Sequence, residues 1–168
     1  TGMCTAVGEV LSSTLIGLWG RRINKIGRTP VIVLGFVTSM VAYLLILINL
    51  PNECPLGETG PDDLAIIPSN KYLAMYAGFL LGFSDAVFNT QALSILGSVF
   101  TEDSASAFMI YNFLQSLAAS AAFWYSPVLM LYWQLLIAVV VNVANTTCLW
   151  LVERKIQIVQ AKDDKSTV

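Results

Sequence analysis

Histidine is missing from the 168 residues. With it go the commonest general base and the commonest metal ligand. Cysteine is scarce: three residues at positions 4, 54 and 148, with no CxxC pair, so neither a metal site nor a redox dithiol is expected. Cys4 and Cys54 would share one side of a membrane, but free thiols are the expectation. Charge is scarce as well, with 12 % Asp, Glu, Lys and Arg and a net charge of −2. A pI near 4.9 argues against a nucleic-acid partner. No nucleophile elbow is present, so an enzyme is not expected, and no cofactor or metal is implied. The chain has no initiator Met and no signal peptide, and it opens inside an apolar run. It reads as a fragment without its front.

What the chain has instead is hydrophobicity: 56 % of its residues are apolar, and the mean hydropathy is +0.69. A soluble domain of this length needs more polar surface. A helix needs roughly 20 apolar residues to cross a bilayer core of ~30 Å. Five stretches meet that need, at about 3–19, 30–50, 72–100, 106–125 and 130–152. Lipid offers no partner to a bare peptide group, so each is expected to be helical. No segment shows the alternation of a strand. The expected fold is all-α: a polytopic membrane bundle over residues 1–152 and a tail over 153–168.

Between the first two runs lies GRRINKIGRT, residues 20–29, in which Arg21, Arg22, Lys25 and Arg28 stand with no acid. The next loop, residues 51–70, holds Glu53, Glu58, Asp62 and Asp63 and no base. Positive residues stay inside, so residues 21–28 and the tail, with Arg154 and Lys155, are expected in the cytoplasm. Aromatic residues agree: Trp19 and Trp150 at inner ends, and Tyr72, Trp124, Tyr125, Tyr132 and Trp133 at outer ends.

The spacing within that basic stretch resembles the signature loop of the major facilitator superfamily. Gly20, Lys25, Gly27 and Arg28 match; Asn24 stands in place of an Asp, and Thr29 in place of the last basic residue. The third apolar run adds GFSDAVFNTQALSILG, residues 82–97. It resembles the Unc-93-like branch of that superfamily through Asp85, Ala86, Phe88, Asn89, Thr90 and Gln91. The following run fits as well, at Glu102, Asp103, Ser104, Ala107, Phe108 and Gln115. The resemblance implies a fold of about twelve helices in two halves, with these five as the eighth to the twelfth. Most of a C-terminal half would then be present, and the N-terminal half of the same protein would be its partner. The resemblance also implies that the tenth helix lines a central cavity and the ninth stays outside.

Polar groups inside lipid point to a site. A carboxylate at mid-bilayer costs at least ~2.5 kcal/mol on insertion scales. Two are present, Glu9 and Asp85. Asn89 shares a helical face with Asp85 at i+4, and Asn112 shares one with Gln115 at i+3. Asp85 reads as a protonatable or cation-binding group in a cavity. Glu9 reads either so or as the partner of a cation on another helix. Asn89, Thr90, Gln91, Asn112 and Gln115 read first as interhelical hydrogen-bonding groups and second as a polar lining. Asn142 and Asn145 read as packing or self-association. The glycines Gly78 and Gly82 form a GxxxG, and residues 116–122 a small-residue face; both suit close or sliding helix contact. Glu102 and Asp103 suggest a latch to Arg21, Arg22, Lys25 or Arg28, with N-capping by Asp103 or Ser104 as the simpler use.

Two functions fit. One is a secondary transporter that moves a small solute by alternating access, with Asp85, Glu9, Asn89, Asn112 and Gln115 on its path. The other is implied by the resemblance: a non-transporting membrane protein that regulates an ion channel or escorts a receptor. The C-terminal Ser166-Thr167-Val168 has the form of a PDZ ligand.

Overall fold

The computed structural model describes residues 2–26, 28–50 and 70–166, with side chains described for 2–18, 28–50 and 70–159. Among these residues the fold is wholly helical. The helices are α1 (Gly2–Ile26), α2 (Thr29–Asn49), α3 (Lys71–Val99), α4 (Ser104–Tyr125) and α5 (Leu131–Ser166). The helix ends follow local chemistry. Pro30 opens α2, where its missing N–H costs nothing, and the Arg28 carbonyl accepts from Val31 N and Ile32 N at 3.1 and 3.2 Å. Asn70 caps α3 by accepting from Tyr72 N at 3.0 Å. Asn49 ties the end of α2 to that cap, donating to Asn70 O at 3.1 Å and accepting from Asn70 N at 2.8 Å.

Two helices run further than the apolar runs that seed them. α1 continues past Trp19 to Ile26, so most of the basic stretch is helical. α5 continues through the tail to Ser166, because no Gly or Pro interrupts it. Its 36 residues are about 54 Å long at 1.5 Å per residue.

Of the five expected spans, three helices are long and apolar enough to cross a bilayer: α2, α3, and α5 over Leu131–Val159. In α1 the apolar part, Gly2–Leu18, is shorter. α4 has the length, but Asn112, Gln115 and four serines dilute it.

α3 is the centre of the bundle and packs against α1, α2 and α4, while α5 packs on α2. The small core lies along the α2–α3 seam, with Ile32, Ala42, Ala77, Ala86, Val87 and Ile95 buried. A side chain on Gly35 would sit 2.9 Å from Val87 Cγ1, so glycine there lets α3 press against α2. Ser84 Oγ crosses the same seam and donates to Gly35 O at 2.8 Å. α4 buries no residue; Met109, Phe113, Phe123 and Trp124 stand in the open.

Candidate functional site

The site begins with two glycines. Gly8 on α1 and Gly82 on α3 meet where the helices cross. A methyl on Gly82 would run into the Thr5 backbone, with Thr5 Cα 3.0 Å away, and one on Gly8 would meet Phe83 N at 3.0 Å. Backbone atoms cannot swing aside as a side-chain tip can, so only glycine allows this approach. Gly82 belongs to the GxxxG legible in the sequence; its counterpart Gly8 carried no such signal.

That crossing decides where the two acids go. Glu9 follows Gly8, and Asp85 lies one turn beyond Gly82. Both carboxylates line the same cavity, of about 730 Å³, whose walls come from all five helices. Ser39 and Tyr43 of α2, Ser84 of α3 and Asn142 and Asn145 of α5 are among the other polar residues of its wall. Much of the remainder is apolar and small, with Ala118, Ala121 and Ala122 of α4 among it. The volume falls in the range that holds small organic ligands.

A hydrogen-bond chain holds Asp85. Asn89 Nδ2 donates to Asp85 Oδ2 at 3.1 Å. Asn89 Oδ1 in turn accepts from Tyr111 Oη at 2.6 Å and from Gln115 Nε2 at 3.3 Å. The chain joins α3 to α4 and fixes the amide so that its NH₂ faces the acid. Asn89 and Gln115 therefore act behind Asp85, and neither is among the residues lining the cavity. Asn112 is exposed and belongs neither to that lining nor to the Asp85–Asn89 chain. Tyr111 is the member that the sequence hid, because a tyrosine in an apolar run carries no positional signal.

A second polar seam backs the cavity. Asn142 Nδ2 donates to Ser39 Oγ and joins α5 to α2. Asn142 is only 7 % exposed, and its Oδ1 is buried with no hydrogen-bond partner.

At the start of α2, Arg28 pairs with an acid outside the Glu102–Asp103 pair of the expected latch. Its Nη1 lies 3.6 Å from Glu153 Oε2, and donates to Ser98 Oγ at 3.5 Å. Glu153 is buried, whereas Glu102 and Asp103 are exposed to solvent that screens them. A dry acid on a packed helix holds a cation better than a wet one on a turn. Asp103 occupies the N-cap position of α4, but its side chain makes no capping bond. The side chains of Gly20, Arg21, Arg22, Asn24 and Lys25, and all of Gly27, lie outside the described residues, as do Cys54, Thr167 and Val168. Cys4 and Cys148 are free thiols.

Residues 1–150 match the family model described as "Ion channel regulatory protein UNC-93". The chain is 42 % identical over 154 residues to the "UNC93-like protein MFSD11" of Xenopus laevis, a match that covers 91 % of this chain and 34 % of that protein. It is 41 % identical over the same length to the Xenopus tropicalis protein of that name, with the same coverage. "Protein unc-93 homolog A" of Bos taurus is 28 % identical over 127 residues, or 76 % of this chain and 24 % of that protein. The chain thus spans about a third of the length of the Xenopus relatives. No solved structure matches.

Proposed function

The chain belongs to the UNC-93 family, and on that premise we propose that it serves a secondary transporter that carries a small solute through a membrane by alternating access. It is an integral membrane protein with helices able to span. One observation carries the reading: two acids set in the apolar runs of different helices line one cavity of ligand size. A carboxylate kept only for packing would be matched and dry, whereas Asp85 is open to the cavity. In this reading Asp85 and Glu9 contact the solute or its coupling ion, Asn89 and Gln115 hold Asp85 in place, and Asn112 lies on the path as α4 turns.

The exposed apolar faces of α1 and α4 are what further helices of the same protein would cover. The basic stretch around Arg28 and the C-terminal tail face the cytoplasm in this proposal. Charge exchange between Arg28, Glu153 and the Glu102–Asp103 pair would accompany the change of access. Ser166-Thr167-Val168 is the segment proposed for a protein partner.

A second reading is favoured by the words of the family description, ion channel regulation. There the chain binds a membrane partner and moves nothing. Asp85→Asn separates the two. Loss of solute flux at normal expression supports transport. Loss of a bound membrane partner in the variant, with no flux of any tested solute detectable even in wild type, overturns it.

A further inference from the structure

The cavity has an electrostatic bias that transport alone does not require. Glu9 and Asp85 line it, and among the described residues its lining holds no Lys or Arg. In a membrane interior two carboxylates without a counter-charge create a strongly negative space, because low dielectric leaves them poorly screened. A second and independent group asks for a donor in the same place. Asn142 lines the cavity. It is more than nine-tenths buried. Its Nδ2 is used by Ser39, which leaves Oδ1 as an acceptor with nothing to accept. Buried acceptors are rarely left so. Two acids and one vacant acceptor belong to a cavity whose other walls are uncharged: a few hydroxyl and amide groups, with alanine, leucine, isoleucine, valine and aromatic carbon between them.

A metal ion does not suit this wall. Among the described residues no three His, Cys, Asp or Glu side chains come together as a metal group. Hard cations want six or more oxygens at short range, and about 730 Å³ of mostly apolar space is far too large for one ion. The geometry points to an organic ammonium with an apolar body as the ligand of this cavity: the charged head between Glu9 and Asp85, an N–H to Asn142 Oδ1, and the body against the α4 alanines. Tyr43 and Phe88 are aromatic residues of the same lining, a residue type that suits a cationic head. This assignment rests on the transporter reading and names its substrate class.

The test uses the protein in lipid nanodiscs and three probes of one shape: phenethylammonium, the neutral 2-phenylethanol and the anionic 3-phenylpropionate. Calorimetric binding of phenethylammonium is expected at least about ten-fold tighter than that of either other probe. Asp85→Asn and Glu9→Gln should each weaken it about ten-fold, and Asn142→Leu should weaken it less. Asp85→Glu keeps the charge and should keep binding, which separates loss of charge from loss of fold. Equal binding of the alcohol, or binding indifferent to Asp85→Asn and Glu9→Gln, overturns the cationic assignment and leaves solute transport standing. A preference for the anion does the same. If none of the probes binds, and Asp85→Cys instead forms a disulfide, under a mild copper-phenanthroline oxidant, with a Cys put in place of a Lys or Arg on another helix of the longer protein, the cavity is a helix slot. The ammonium assignment and the transporter reading then both fall.

Discussion

Replacing Arg28 with methionine should unsettle the bundle more than its position at a helix start suggests. The partner it abandons, Glu153, has a side chain only 8 % exposed, against 17 % for Arg28. At 3.6 Å and an effective dielectric of about 20, the attraction is about 4–5 kcal/mol before desolvation is charged against it. Removing one member of a buried pair costs about 3–5 kcal/mol, because the other is left uncompensated. Partial wetting of Arg28 and the bond from Gln157 to Glu153 Oε1 at 3.1 Å soften the loss, so about 2–3 kcal/mol is expected. The double variant Arg28→Met with Glu153→Leu should recover to within about 1 kcal/mol of wild type, since no buried charge remains. Lys71→Met is the control: an exposed cation whose loss should cost about 0.5 kcal/mol or less. The assay is unfolding in detergent followed by far-ultraviolet circular dichroism. If Arg28→Met costs no more than Lys71→Met, or the double variant is no better than the single one, the pair does not hold α2 to α5.

Gly82→Leu should separate α1 from α3, costing about 3 kcal/mol or more because the clash at Thr5 is with backbone; Gly17→Leu, with open space around it, should be silent in the same unfolding assay. Tyr111→Phe deletes the 2.6 Å bond to Asn89. It should cost about 0.6–1.7 kcal/mol, and should lower solute affinity in flux assays by loosening Asp85. Ser39→Ala frees the Asn142 amide and should weaken the α2–α5 seam by about 1 kcal/mol, read as earlier unfolding of α5 by hydrogen exchange.

The all-helical class and the family were legible because long apolar runs and the Asp85–Gln91 motif are local signals. So was Gly82, half of a crossing whose other half, Gly8, is defined only by a partner distant in sequence. The acids could be found, since a carboxylate in an apolar run declares itself. Their meeting in one cavity could not, because it depends on the α1–α3 crossing. Glu153 was hidden for a different reason: beside Arg154 and Lys155 it looks like the start of a wet tail. Only the continuation of α5 and its packing on α2 make it a buried counter-charge. Asn142 shows the limit most clearly. Its residue type suggested packing, and one half of its amide does pack, while the other half is buried unmatched in a residue of the cavity wall.

The account stands on Asp85 facing a water-filled solute path. The direct measurement is substituted-cysteine labelling: Asp85→Cys in a background with Cys4, Cys54 and Cys148 changed to serine, treated in membranes with a charged, lipid-insoluble thiosulfonate. Rapid labelling, slowed by a transported solute, is the predicted result. Labelling by a lipid-soluble maleimide alone, or none by either reagent in folded protein, would contradict it.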